Sequence, residues 1–156
     1  MTLRLAKITR ENYQECLNLK VAQSQTGFVA ANSVSLAQAA YEPKMYPLAI
    51  YNQQEMVGFV LYDFDLELND WSMSRLMIGE QFQAQGYGKK ALTLFLNYFF
   101  SEVDAAQIYT SVEVDNPIAK KLYLQAGFKE KETFSYTIAD QEFHEERLLL
   151  KKSDWL

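Results

Sequence analysis

Cysteine and histidine are almost absent from this sequence, with one of each in 156 residues. Because a single cysteine cannot close a disulfide within the chain, Cys16 is expected as a buried thiol on an N-terminal helix. A zinc-type site needs several Cys or His ligands, so the sequence predicts no bound metal. Proline and glycine are also scarce, at three and six residues, which argues against a disordered chain.

Long hydrophobic runs and an excess of positive charge are missing as well. The first twelve residues, MTLRLAKITREN, are too polar for a signal peptide, and the most apolar run, 91–100, is interrupted by Asn97. We therefore expect a cytoplasmic protein without a membrane partner. The chain has 15 Lys and Arg against 20 Asp and Glu, so nucleic acid is not an expected partner either. A net charge of −5 suits a cationic substrate, or serves solubility alone.

What the chain does contain is enough apolar surface for one globular domain over residues 1–156. Hydrophobic residues make up 49% of the sequence and aromatic residues 14%, which is sufficient for a substantial core at this length. No linker, internal repeat or low-complexity segment divides the sequence. A single domain is therefore predicted.

Hydrophobic periodicity predicts the element order β-α-α-β-β-β-α-β-α-β-β, an α/β domain with a mostly antiparallel sheet. Thr9 and Ser35 are the expected N-caps of the first two helices. Asp63, Asp65 and Glu67 are spaced two apart, so we expect them on one solvated face of a strand. The predicted strands are 3–7, 45–51, 56–68, 71–78, 108–114, 128–138 and 143–151, and the predicted helices are 10–20, 36–42, 87–102 and 117–126.

The most informative stretch is residues 75–90, RLMIGEQFQAQGYGKK, where a short apolar strand leads through a glycine-bearing loop into a helix. The first amides of a helix have no intrahelical partner, and the helix dipole places partial positive charge there. Gly86 and Gly88 let an anion approach the backbone without a Cβ in the way. The stretch therefore predicts a cradle for a pyrophosphate group.

Two common nucleotide motifs fit this loop poorly. Gly86, Gly88 and Ala91 satisfy the loose pattern G-x-G-x-x-A, but a dinucleotide fold places its first glycine directly after a strand within repeated βαβ units. Here seven residues separate Ile78 from Gly86. A P-loop is also disfavoured, because Lys89 and Lys90 lack the required glycine spacing and the following Ser or Thr.

Two longer motifs resemble one family, the GCN5-related N-acetyltransferases (GNAT). Residues 83–88, QAQGYG, match that family's Q/R-x-x-G-x-G/A signature. About thirty residues later, 116–128 match its second signature, N-x-x-A-x-x-L-Y-x-x-x-G-F. Within the family, RLMIGEQFQAQGYGKKAL and GFVAANSVSLAQA look similar to the bacterial spermine/spermidine acetyltransferases.

The resemblance implies a specific fold and cofactor. The fold would be a mixed, mostly antiparallel central sheet of six to seven strands, flanked by about four helices and split between its two central parallel strands. Acetyl-CoA would lie in that split, with its pyrophosphate on the loop amides and its pantetheine arm along the strand before the loop. The implied cofactor-binding residues are Met77, Ile78, Gln83, Ala84, Gln85, Gly86, Tyr87, Gly88, Lys89, Lys90, Asn116, Lys120 and Tyr123.

Several of these residues have ordinary structural roles that remain open at this stage. Lys89 and Lys90 fit a solvated helix face as well as a phosphate contact. Asn116 before Pro117 is a sound helix start by itself. Tyr123 fits a core-facing helical aromatic, while the resemblance implies that it protonates the departing thiolate. A phenol with a reference pKa near 10 is a fair donor to a thiolate of similar basicity.

The acceptor implied by the resemblance is a primary amine of a polyamine, attacking directly in a ternary complex. An alkyl ammonium has a reference pKa near 10.4, so it must lose a proton before it attacks. Polyamine acetyltransferases often have a carboxylate where this chain has Ser74 and Arg75, which leaves Glu113 as the nearest candidate base. Phe28 and Glu42 are the other candidate substrate-binding residues, and Glu145 and Glu146 are further acidic candidates without positional support.

Other functions stay open as well. The acceptor could be another small amine, an amino acid or a protein amine, or the chain could be a CoA-binding module without turnover. Because family members often pair, a homodimer is expected.

Overall fold

The computed structural model describes residues 2–155, and their elements follow the predicted order. Within that range there are seven strands, five α-helices and two short 3₁₀ turns, at Gln23–Gln25 and Glu80–Phe82. The strands are β1 Leu3–Lys7, β2 Met45–Asn52, β3 Glu55–Asp65, β4 Asp70–Ile78, β5 Gln107–Glu113, β6 Lys129–Ile138 and β7 Gln141–Lys151. The helices are α1 Tyr13–Asn18, α2 Asn32–Tyr41, α3 Tyr87–Glu102, α4 Pro117–Ala126 and α5 Lys152–Trp155. In the same range no helix is both long and apolar enough to cross a membrane.

The strands form one sheet in the order β1-β2-β3-β4-β5-β7-β6. All neighbours are antiparallel except β4 and β5, which run parallel and pair only at Ser72 with Tyr109 and at Met73 with Thr110. Beyond Met73 the two central strands separate. The expected mixed sheet with a split between its central parallel strands is therefore confirmed.

A β-bulge in β4 lies at the start of the split. Leu61 of β3 pairs with Arg75, while the next residue, Tyr62, pairs with Met73, so Ser74 is the extra residue. Met73 packs in the core on the α3 side, whereas Met77 packs in the core on the α1–α2 side. Because one inserted residue reverses which face the following side chains occupy, the bulge places Arg75 on the α1–α2 face.

Two hydrophobic cores cover the two faces of the sheet. The larger core contains Phe95 and Phe99 of α3 and Tyr123 of α4. The smaller core contains Cys16 of α1 together with Phe59 and other strand residues, and α2 packs against it. Cys16 is fully buried on the N-terminal helix, as expected, and burial raises the pKa of its thiol to about 11.

The first helix is shorter than predicted, beginning at Tyr13 instead of Arg10. Thr9 is not its N-cap, since the cap position is Asn12. The Asn12 side chain folds back on the preceding turn, accepting from the Thr9 N–H at 2.7 Å and donating to the Lys7 carbonyl at 3.0 Å. Such local side-chain bonds compete with helical hydrogen bonds, so the helix starts later.

The second helix begins at Asn32, so the prediction of Ser35 as its N-cap is wrong. Ser35 lies inside the helix and is fully buried. The Asn32 side chain donates to the carbonyls of Cys16 and Leu19, at 3.0 and 3.1 Å. These bonds anchor the start of α2 to α1, a tertiary contact that local propensity does not register.

The prediction that Asp63, Asp65 and Glu67 share a solvated strand face is wrong for Asp63. Asp63 is buried on β3 and accepts a hydrogen bond from the Ser74 hydroxyl at the bulge. Burial is the main reason that its pKa rises to about 6. Asp65 ends the strand by accepting from the N–H groups of Glu67 and Leu68, which places Glu67 in the following turn.

Candidate active site

A cleft of about 900 Å³ opens where β4 and β5 separate. Its walls come from both strands, the glycine loop, the start of α3, one side of α4 and the segment 21–30. Tyr136 of β6 and Glu145 of β7 complete the far wall. Because the sheet is split, the glycine loop, α4 and the last two strands all line the same cavity.

The glycine loop has the backbone that the sequence predicted for anion binding. Gly86 is the N-cap of α3 with a φ of 82°, a left-handed conformation that glycine adopts without strain. Ala84 has a φ of 60°, which is uncommon for a residue with a Cβ. Among residues 2–155, a Cβ added at Gly86 would meet nothing within 4 Å, and one at Gly88 only Cδ2 of Leu122 at 3.8 Å. Packing within the protein therefore leaves the space beside both glycines open to an outside group.

Gln83 ties this loop to two neighbouring segments through its side chain. Its Nε2 donates to the Ile78 carbonyl at 2.9 Å and to Oε1 of Gln25 at 2.8 Å. The next residue of that segment, Thr26, is also held, because Nε2 of Gln141 donates to its carbonyl at 2.7 Å. Phe28, from the same segment, lines the cleft. These side-chain contacts hold segment 21–30 across the cavity, and local sequence patterns gave no sign of them.

Helix α4 presents Tyr123 to the cleft. Asn116 caps the helix by accepting from the Ala119 N–H at 3.3 Å, and Gly127 ends it in a left-handed conformation. Between these ends Tyr123 is buried and packs edge-on against Phe128. Burial chiefly, and the negative charge of Glu145 in addition, hold its pKa above the ordinary value of a phenol, while Thr110 acts in the opposite direction. Its hydroxyl therefore stays protonated at neutral pH, as a proton donor requires.

Most of the predicted site residues meet in this one cleft, but four do not line it. Lys120 faces the other side of α4, where its Nζ lies 2.7 Å from Glu146 and 3.3 Å from Glu130. Those two carboxylates raise the pKa of Lys120. Glu42 is exposed after the end of α2, and Gln85 and Lys90 are exposed on the loop and on α3. The predicted residues that do line the cleft are Phe28, Met77, Ile78, Gln83, Ala84, Gly86, Tyr87, Gly88, Lys89, Glu113, Asn116 and Tyr123.

Two buried carboxylates face each other in the wall formed by β5 and β7. Glu113 pairs directly with Glu145 in the antiparallel register, and the two residues are 9% and 5% exposed. Oε2 of Glu113 accepts from the His144 backbone N–H at 3.1 Å. Burial raises the pKa of Glu113, and the charge of Glu145 adds to that rise, while the hydrogen bond from His144 opposes it. The neighbouring His144 side chain is exposed.

Glu145 is held by two hydroxyl groups. Its Oε1 accepts from Oγ of Ser111 at 2.5 Å, and its Oε2 accepts from the Tyr136 hydroxyl at 2.8 Å. Tyr136 is stacked between Phe134 and Phe143, with ring centroids 5.7 and 5.1 Å away. Its pKa is raised, first by burial and then by the charge of Glu145. Alternation along the last strand places Glu145 on the face of the buried Phe143, which is the one sequence signal for its position.

Arg75 contributes a positive charge on the opposite side of the cleft. It is 7% exposed, and its Nη2 donates to Oε1 of Gln38 on α2 at 2.8 Å. Its Nε is buried and, within residues 2–155, has no hydrogen-bond partner. Because the bulge at Ser74 sets the direction of this side chain, the sequence pattern alone did not place it in the site.

Comparison with known proteins gives a family match over most of the chain. The family model described as "Acetyltransferase (GNAT) family" matches residues 7–128. The spermine/spermidine N(1)-acetyltransferase of Bacillus subtilis (strain 168) is 27% identical over 136 residues, which cover 83% of this chain and 89% of that protein.

Solved structures share the fold at lower identity. The spermidine N-acetyltransferase of Vibrio cholerae, in complex with CoA and spermine, superposes with a TM-score of 0.76 at 18% identity, covering 98% of this chain and 97% of that one. The aminoglycoside acetyltransferase AAC(6')-Ib, in complex with coenzyme A, reaches 0.75 at 14% identity, covering 99% of this chain and 97% of that one. Two enzymes named for different acceptors thus match the fold equally well.

Proposed function

This chain belongs to the acetyltransferase (GNAT) family, and from that premise we propose that it transfers the acetyl group of acetyl-CoA to a primary amine of a polyamine such as spermidine or spermine. The observation that supports this most is the single cleft in the split sheet, which joins the glycine loop, Tyr123 and two buried carboxylates. A cofactor site, a proton donor and a site for a cation are thereby adjacent.

The residues of the cleft fit acetyl-CoA. The free amides at the start of α3 and the open space beside Gly86 and Gly88 suit a pyrophosphate. Met77 and Ile78 line the cleft where β4 pairs with β3 but no longer with β5, so the backbone groups of β4 that face β5 can bind the pantetheine arm. When bound, acetyl-CoA supplies a thioester whose carbonyl carbon an amine can attack. We assign the remaining cofactor contacts to the loop residues and Asn116, with Lys89 beside the phosphates.

Two proton transfers are assigned to this chain's own residues. Tyr123 gives its proton to the departing sulfur, because it lines the cleft and its hydroxyl is protonated at neutral pH. The buried carboxylate pair that includes Glu113 takes a proton from the amine. Transfer is direct, in a ternary complex, and Cys16 takes no part because it lies in the core on α1 and does not line the cleft. Catalysis then rests on positioning and on fixed hydrogen-bond donors.

The polyamine assignment is supported by charge and by similarity. Two buried carboxylates in the cleft favour a cationic acceptor, and the net charge of −5 favours attraction of one. The Bacillus subtilis relative is named for spermine and spermidine. We further propose, as the family resemblance implies, that the enzyme works in the cytoplasm as a homodimer, which sedimentation of the purified protein would test.

One observation favours a second acceptor class. Arg75 is a buried cation in the wall of the cleft, and a guanidinium is well suited to bind a carboxylate. An amine that also has a carboxylate, such as an amino acid or a peptide terminus, would satisfy it. A polyamine would instead have to keep its remaining charges away from Arg75.

An acetylation screen with matched acceptors tests both assignments. Spermidine, spermine, free lysine, and a short peptide with and without a C-terminal amide would each be offered with acetyl-CoA. Preference for spermidine and spermine, retained in Arg75→Gln, supports the polyamine assignment. Preference for lysine or the free-acid peptide, lost in Arg75→Gln, supports the second class. CoA binding without turnover on any amine would instead indicate a non-catalytic module.

A further inference from the structure

We propose that Glu145 is the base that accepts the proton of the acceptor amine, and that Glu113 is the second carboxylate holding the ammonium group. This inference rests on the proposed function, but it does not depend on which amine is the natural acceptor. Sequence patterns pointed to Glu113, and the structure adds the residue that lies across from it.

The first reason is that no Lys or Arg among the described residues forms an ion pair with either carboxylate. Residues opposite each other in an antiparallel pair have Cβ atoms about 5 Å apart, so the two carboxylates repel. Within residues 2–155, ion pairs with Lys or Arg engage Glu130, Glu132, Glu146 and Asp154, and neither member of this pair. Buried charges are costly unless they are paired. A primary ammonium entering the cleft would supply the missing positive charge.

The second reason concerns which of the two carboxylates is oriented to take the proton. Both oxygens of Glu145 are fixed by hydroxyl donors, from Ser111 and Tyr136. A carboxylate has about four acceptor positions, so two remain for the ammonium. Glu145 also lines the same cleft as Tyr123, the proton donor. Tyr136 is then a positioning residue, since its stacked ring fixes the hydroxyl that orients Glu145.

The charged and titratable groups around Glu145 define the path of the ammonium. Glu113 faces it from β5, Tyr136 from β6, and Tyr123 from α4. Arg75 lines the cleft from β4, and its charge lowers the pKa of Tyr136. His144 turns away, bonding through its ring to Ser135 and Glu142. A cation is therefore repelled from the β4 wall and attracted to the β5–β7 wall.

The protons balance over one turnover. The ammonium gives its first proton to Glu145, which makes the nitrogen nucleophilic. The nitrogen then forms the new C–N bond to the acetyl carbon, and the C–S bond breaks. The sulfur takes a proton from Tyr123. The second proton that the nitrogen loses then reprotonates Tyr123. One proton remains on Glu145 and is released to water.

The test compares Glu145→Gln with Glu113→Gln and with Glu146→Gln. Glutamine keeps the size of the side chain, its oxygen can accept from one of the two hydroxyls, and its amide N–H can donate to the oxygen of the other. Glu146 lies on the other face of β7, paired with Lys120, so its variant is the matched control. For each protein, kcat/KM for spermidine is measured from pH 6.5 to pH 10. Binding of spermidine without acetyl-CoA, and of CoA alone, is measured by calorimetry.

For Glu145→Gln we expect kcat/KM at pH 7 to fall by about 10² to 10⁴-fold. The deficit should shrink toward pH 10, because the amine then arrives increasingly in its free form and needs no base. Spermidine affinity at pH 7 should fall about tenfold or more in both pair variants, with CoA affinity unchanged. Glu146→Gln should resemble the wild type.

A deficit of equal size at every pH would overturn the base assignment, since a structural defect does not depend on amine ionisation. A pH profile identical to the wild type would overturn it as well. If the wild type acetylates no amine, the proposed function fails. The calorimetric measurements then still test whether Glu113 and Glu145 bind the ammonium group. Spermidine binding that is lost in both pair variants would support the ammonium site, and equal binding in all proteins would contradict it.

Discussion

Gly88 in the first turn of α3 lies across from Leu122 of α4, and both residues line the cleft. A Cβ there would lie 3.8 Å from Cδ2 of Leu122 and meet no other heavy atom of residues 2–155 within 4 Å. This is ordinary van der Waals contact. Packing within the protein therefore does not explain a glycine at this position, while a bound phosphate close to the backbone would.

Gly88→Ala should accordingly leave the fold intact and weaken CoA binding. Alanine favours a helix over glycine by about 0.5–1 kcal/mol, so the melting temperature should hold or rise slightly. The added methyl group lies beside the free amides of the first turn, so we expect about a tenfold weaker Kd for CoA. Calorimetry and thermal unfolding measure the two effects separately. Wild-type CoA affinity in this variant would place the phosphates elsewhere.

Gly86→Ala provides the contrasting case. Its φ of 82° is left-handed, and a residue with a Cβ pays about 1 kcal/mol or more for that conformation. This variant should lower the melting temperature as well as the CoA affinity. If it were as stable as Gly88→Ala, the backbone at position 86 would not require glycine.

Tyr123→Phe should lower kcat by about 10² to 10³-fold. Phenylalanine keeps the ring that packs against Phe128 and removes the hydroxyl that protonates the sulfur. CoA affinity and stability should change little. Tyr98→Phe is the control, because its hydroxyl contacts Tyr62 in the larger core instead of the cleft. An undiminished kcat in Tyr123→Phe would move the proton donor to water or another group.

Asn116 has a structural role that can be separated from a cofactor role. Asn116→Ala removes the side-chain acceptor for the Ala119 N–H and should destabilise the protein by about 1 kcal/mol. Asn116→Asp keeps that acceptor and removes the amide donor. In urea denaturation, Asn116→Asp should therefore have about the same free energy of unfolding as the wild type. A drop in its CoA affinity would show that the amide contacts the cofactor, and wild-type affinity would limit Asn116 to capping.

Asp63 predicts an unusual pH dependence of stability. Its pKa rises from 3.8 to about 6 on folding, so between these values the native state binds more protons than the unfolded chain. The free energy of unfolding therefore falls as pH rises from 4 to 6, by about 2 kcal/mol from this group. Asp63→Asn should gain more stability over wild type at pH 7 than at pH 4.5.

Urea denaturation at the two pH values measures this difference for Asp63→Asn and for the exposed control Asp104→Asn. An equal gain at both pH values, or a gain matched by the control, would show that Asp63 does not titrate as its burial indicates.

Local signals sufficed for part of the fold. The bounds of α3 were predicted to the residue, because a broad apolar face at helical spacing follows a glycine that starts the helix. The bounds of α4 were predicted equally well, since Pro117 begins it and Gly127 ends it. These two helices and their leading loops contain most of the predicted site residues that line the cleft.

The remainder depended on contacts between distant segments. The bulge at Ser74 has no signal in the strand pattern, yet it decides that Arg75 reaches the α1–α2 face. Glu113 and Glu145 are 32 residues apart and become neighbours only through the register of β5 and β7. The helix start at Asn32 is accompanied by side-chain hydrogen bonds to another segment, at Cys16 and Leu19.

The most direct test of the central claim follows both products of one reaction. Purified protein is mixed with acetyl-CoA and spermidine, free thiol is followed with time, and the amine product is identified by mass spectrometry. The account predicts one acetylated spermidine for each thiol released, at a rate that falls sharply in Tyr123→Phe. Thiol release without an acetylated amine, or no release from a protein that binds CoA tightly, would contradict it.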